Sequence, residues 1–100
     1  AMAGVDVLLT ASQLAEAAKI TEVPRWGLYG KPGFTFPFNV TGLPALSVCS
    51  GFGEHGLPVS IQLIGKPFQD ATVLRAGHAF ETATAFRAER PKVAAEPALA

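Results

Sequence analysis

At one hundred residues the chain is one domain at most, and a chain of that size removes only about two thirds of its unfolded surface from water. Yet 49% of the residues are hydrophobic and 16% are charged, below the usual quarter or so, which suits the interior part of a larger protein better than a free-standing small domain. Eight basic and eight acidic residues cancel and lie scattered along the chain with no basic stripe, so nucleic acid is not an expected partner.

The single cysteine, Cys49, allows no intrachain disulfide, which fits a reducing compartment. Residues 1–10 have no basic stretch ahead of their short apolar run, so no signal peptide is expected. The longest uncharged run, 32–53, is long enough on paper to cross a bilayer. Pro32, Pro37, Pro44, four glycines and Asn39 make it unfit for a spanning helix, and it reads as protein core. A cytoplasmic protein with no membrane partner is the expectation.

In chain order, residues 5–10 (VDVLLT) form a short apolar run with one polar interruption and predict a buried strand. Residues 12–19 (SQLAEAAK) are strong helix formers, and Thr10 with Gln13 has capping-box spacing, so a short surface helix is expected. Its apolar spacing is poor, since most of it is alanine. Residues 20–33 hold Pro24, Gly27, Gly30, Pro32 and Gly33 and read as a loop. That loop also carries Trp26, Leu28 and Tyr29, much aromatic and aliphatic surface for a solvated segment. Packing onto the core is the favoured explanation, because buried aromatic area is valuable. The competing one is that Trp26, with Phe34, Thr35 and Phe36, lines one wall of an apolar substrate pocket.

Residues 43–48 and 58–64 are apolar runs rich in Val, Ile and Leu, bounded by Gly and Pro, and predict two strands covered on both faces. A glycine-rich loop, 50–56, separates them, long enough to leave direct pairing or an interposed strand both open. Two strands make at best a marginal sheet, so this pair reads as the finishing edge of a larger α/β core. Residues 70–89 give the clearest helix: Asp70 can cap it, and Val73, Ala76, Phe80, Ala83 and Phe86 recur at spacings of three and four. Pro91 ends it. Residues 1–93 then form the structured segment, and 94–100, without periodicity, a frayed tail.

Several motifs carry less than they promise. Residues 51–56 match G-x-G-x-x-G, but the dinucleotide mechanism needs a helix N-terminus directly after the glycines, and Leu57-Pro58 opens another strand. Asn39-Val40-Thr41 matches the glycosylation sequon; without a secretory signal, Asn39 is expected instead to hold the 40–43 turn by side-chain hydrogen bonds. Cys49 with His55 lacks a third group to orient the histidine, and a strand-end cysteine is more often a small buried hydrophobe. His78 reads as a packed or half-exposed helix residue. Two isolated histidines, one cysteine and dispersed carboxylates make no metal site, and no cofactor is expected. Gln62, flanked by Ile61, Leu63 and Ile64, is expected to be buried and to tie backbone segments together rather than to touch substrate.

Two ordered stretches carry a family resemblance. Residues 35–48 (TFPFNVTGLPALSV) resemble T-x-P-x-N-x-x-G-x-P-A, and residues 56–68 (GLPVSIQLIGKPF) resemble G-x-P-x-G-x-Q-x-x-G, followed by Asp70 and Leu74. Both are similar to the C-terminal signature of the amidase signature family, weakly extended from about Val5 to about Pro91. Cys49 stands where the family usually has proline, Ser60 where glycine is common, and Ala11 replaces the proline of a D-x-L-x-x-P-T segment.

The resemblance implies the C-terminal part of a three-layer α/β/α core, with a mixed sheet and a covering helix. It also implies hydrolysis of carboxylic amides by a serine nucleophile, a bridging serine and a lysine, with the segment before the T-x-P-x-N motif approaching the substrate. No Gly/Ser-rich catalytic stretch is present, the four serines (Ser12, Ser47, Ser50, Ser60) are isolated, and no serine-x-x-lysine pair occurs. No catalytic residue carries over. The expected role is that of a C-terminal fragment supplying core strands and part of a pocket wall, partnered by the missing N-terminal amidase portion. Only the complete enzyme would meet a small amide substrate. The alternative is a non-catalytic interaction domain that self-associates through its apolar sheet.

Overall fold

The computed structural model describes residues 2–23 and 33–91. Strand β1, Val7–Ala11, is followed by a 3₁₀ turn at Ile20–Glu22 and the short helix α1, Phe36–Thr41. Strands β2, Ala45–Phe52, and β3, Pro58–Gly65, come next, then helix α2, Asp70–Ala83, and a 3₁₀ turn at Phe86–Ala88. The strands lie in the order β1-β3-β2, with both pairings antiparallel. The α/β class and the covering helix stand as expected. The mixed pairing expected of the complete core is not represented in these three strands.

All three apolar runs are strands, but β1, expected to be buried, is a half-exposed edge strand with no buried residue; β2 and β3 pair directly, with the glycine-rich loop at one end. Cross-strand partners share a face, so Leu46 with Leu63, and Val48 with Ile61, point to one side. Helix α2 covers that side. A Cβ at Gly77 would run into Leu46 Cδ2 and come within 3.6 Å of Val48 Cγ1, and one at Gly65 would meet Val73 Cγ2 at 2.5 Å. Close packing of helix on sheet thus depends on two glycines. A register shift between Cys49 and Gly51 forms a bulge in β2, and Gly51 takes its φ of 145°, open to glycine alone.

The expected stripe on α2 is present in part: Val73 is buried and Ala76 and Phe80 are half-buried, but Ala83 is exposed and the unforeseen Gly77 is buried. The helix also stops at Ala83 rather than running to Glu89. Thr82 and Thr84 are β-branched, and their hydroxyls donate back to the carbonyls of His78 (2.8 Å) and Phe80 (3.0 Å). Thr84 is extended, so its hydroxyl takes up a carbonyl that the ending helix leaves free. The chain then turns so that Phe86 meets Phe52 edge-on, with ring centroids 6.3 Å apart. Nor does Asp70 cap α2: the capping position falls on Gln69, with no side-chain cap, and Asp70 is the first helical residue.

The helix expected at 12–19 is not formed; the chain there is bent and irregular. An alanine segment this short, with no apolar face to bury, is below the length at which isolated helices hold. Tertiary bonds take its polar groups instead. The Ser12 N–H donates to Ser60 O at 3.2 Å, continuing the β1–β3 ladder, and the Ser12 and Ser47 hydroxyls share a 3.1 Å hydrogen bond. The turn after Asn39 is held differently from expectation too. Gly42, at φ 71°, caps α1 by donating to Phe38 O at 3.0 Å, and the Thr41 hydroxyl donates to Pro37 O at 2.8 Å.

The apolar core is small. Among the described residues only Val48, Leu63, Ile64 and Val73 are buried apolar side chains, while Leu9, Leu14, Ile20, Val40, Phe68 and Leu74 are each more than half exposed. Among the described residues, a three-stranded sheet with one long helix and one short one has too few elements to cover what it presents.

Candidate functional site

Gln62 is 3% exposed in the middle of β3, the one buried polar side chain among the described residues. Its partners β1 Thr10 and β2 Ser47 share its face, opposite to α2. The Gln62 amide nitrogen donates to Ala11 O at 3.1 Å and to Phe34 O at 2.7 Å. It therefore joins the end of β1 to the segment entering α1, and among the described residues no buried side-chain polar atom is left without a partner. The alternation of the strand places the amide; the two carbonyls it meets come from 51 and 28 residues away.

Phe34, Thr35 and Phe36 sit together at the head of α1, next to that tie. All three are exposed, and Thr35 occupies the helix N-cap position without a side-chain cap. Pro37 follows in the first helical turn, where its missing N–H costs nothing. A side chain at Gly33 would strike the Phe36 ring. Trp26, the fourth residue expected in the pocket wall, lies outside the described residues, as do 94–100. Two shallow clefts among the described residues are lined by other groups. One, of about 330 Å³, lies between Gln13, Ala17, Cys49 and residues 57–60; the other, of about 260 Å³, lies between Gly42, Pro44, Pro67, Phe68 and Asp70.

Among the described residues the serines form no catalytic arrangement. Ser12 and Ser47 bond to each other, and Ser50 donates to Val59 O at 3.4 Å. The Cys49 thiol donates to Gly51 O at 3.5 Å, and His55 turns to Glu16. Among the described residues, no three of His, Cys, Asp and Glu come together. No helix there is long and apolar enough to cross a membrane. The G-x-G-x-x-G segment is a hairpin turn, with Gly53 N–H on Leu57 O at 2.9 Å and β3 directly behind it.

Glu16 was hidden in the alanine run and gave no local sign of a role. Its carboxylate accepts from the backbone N–H of His55 at 2.9 Å and of Leu57 at 3.0 Å, with the His55 Nδ1 3.4 Å away. These bonds, led by that from the His55 backbone, hold its pKa below the ordinary glutamate value.

The described residues form an α/β unit: a helix-covered antiparallel sheet with a buried amide tie and, at the head of α1, an exposed aromatic edge. The sequence model described as Amidase matches residues 1–74, and the chain belongs to that family. It is 46% identical over 91 residues to a glutamyl-tRNA(Gln) amidotransferase subunit from Carboxydothermus hydrogenoformans, covering 89% of this chain and 19% of that protein. To the subunit of the same name from Geobacter metallireducens it is 44% identical over 92 residues, covering 90% and 19%. To that of Dehalococcoides mccartyi it is 52% identical over 59 residues, covering 59% and 12%. The chain thus spans about a fifth or less of these relatives. No solved structure matches it.

Proposed function

We propose that this chain serves as the C-terminal portion of an amidase that acts on carboxylic amide C–N bonds, supplying core strands and part of the pocket wall while the nucleophile lies elsewhere. The observation that carries this is the pairing of 46% identity over 89% of the chain with coverage of only 19% of the relative. The small core has the same cause: the exposed apolar residues await the remainder of the fold. Residues 1–93 act as one unit in this reading. Trp26, Phe34, Thr35 and Phe36 face the substrate, and the segment works in the cytoplasm. The relatives' names contain a tRNA, yet the charges of this segment cancel. Contacts to the phosphates of such a substrate would come from other parts of the protein.

The test is ammonia release from a simple carboxylic amide by the chain alone and by the chain joined to the upstream portion of one of these amidotransferase relatives. The chain alone is expected to be inactive and the joined protein active. Turnover by the chain alone that survives loss of all four serines and Cys49 would sink the reading. A joined protein that folds yet has no activity would favour the non-catalytic, self-associating alternative.

A further inference from the structure

The cleft beside Cys49 has two walls from distant parts of the chain. Cys49 and residues 57–60 belong to the β2–β3 hairpin; Gln13 and Ala17 belong to the irregular segment that follows β1. That segment makes no helix and carries exposed Leu14, so an apolar face does not hold it down. Between Gln13 and Ala17 stands Glu16, whose carboxylate takes the His55 and Leu57 amides at the tip of the same hairpin. The tip fits this occupant closely. A Cβ at Gly53 would collide with the Glu16 carboxylate and its Cγ, so glycine there leaves the carboxylate its seat. The loop's remaining charged residue, Glu54, and the segment's own Lys19 are exposed.

We propose that Glu16 is a latch: seated in the hairpin tip, it holds the 12–19 segment as a flap over the Cys49 cleft, and unseating it opens the cleft. Two amides at 2.9 and 3.0 Å give a charge-assisted grip, stronger than ordinary neutral hydrogen bonds. The grip is also local. Ser12, at the near end of the segment, is fixed independently to Ser60 and Ser47, so the sheet does not depend on the latch.

The test reads the protein peptide by peptide, in whatever assembly contains this segment. Cys49 is the only cysteine of these residues, so its alkylation by iodoacetamide reports opening of the cleft, and amide exchange at 53–57 reports the seat. Glu16→Gln weakens the grip. Gly53→Ala leaves Glu16 intact but fills its seat, at a position whose backbone does not require glycine. Both variants are expected to speed Cys49 alkylation and exchange at 53–57 about tenfold, the scale of losing a hydrogen bond to a charged group. Exchange at 62–64 should be unchanged. Unchanged alkylation in both variants would overturn the latch. So would loss of protection reaching 62–64 in both, which would make Glu16 a support of the whole sheet.

Discussion

Gln62 shows how one polar residue is made compatible with a strand that is otherwise apolar. A buried amide without partners would cost a few kcal/mol, and here its nitrogen finds two carbonyls on segments far apart in the chain. Gln62→Leu keeps the volume roughly and removes both bonds, leaving the Phe34 carbonyl without this donor. A loss of about 2 to 3 kcal/mol is expected, read as a lower urea midpoint at unchanged slope and matched protein concentration. An unchanged midpoint would mean that the tie contributes no stability and that water replaces it freely.

At the scale of elements, α2 lies close to the sheet because Gly77 leaves room for Leu46 and Val48. In an exposed helix, Gly77→Ala would gain up to about 1 kcal/mol of helix propensity. Here the added methyl meets Leu46 Cδ2, and overpacking typically costs about 1–3 kcal/mol. Net destabilisation is therefore expected, largely relieved when Leu46→Ala is combined with it in a double-mutant cycle. A stabilised single variant would show that the helix does not seat on Leu46. The same scale explains β1: its five residues are an edge strand with no proline or charge to protect it, and its Leu9 is 63% exposed. Such an edge is suited to receiving another strand.

At the largest scale, the described residues present more apolar surface than they cover. Leaving even about 400 Å² of apolar surface in water forgoes roughly 10 kcal/mol at about 25 cal/mol per Å², comparable to the entire stability of a typical domain. The isolated chain is therefore expected to associate or aggregate, in a concentration-dependent way. Sedimentation across a dilution series checks this. A monodisperse, cooperatively melting monomer at micromolar concentration would show the chain to be self-sufficient and would count against the fragment reading.

The residues by themselves determined the elements with strong local signals. The runs at 43–48 and 58–64 are β-rich and apolar on both faces, so they became strands, and Gln62 within one of them had to find partners. The ordered T-x-P-x-N and G-x-P-x-x-x-Q stretches were enough to reach the family. What only the tertiary structure decided were the places where local preference is weak. Residues 12–19 favour a helix by less than the bonds of Ser12 and Glu16 to a hairpin some forty residues away. The end of α2 depended on two threonine back-bonds and on the Phe52–Phe86 contact, which an apolar stripe running on to Phe86 conceals. Glycine at 53 and at 77 looked interchangeable on paper. It took the fold to show that one makes room for a carboxylate and the other for a leucine, because close approach is a property of two segments and is written in neither alone.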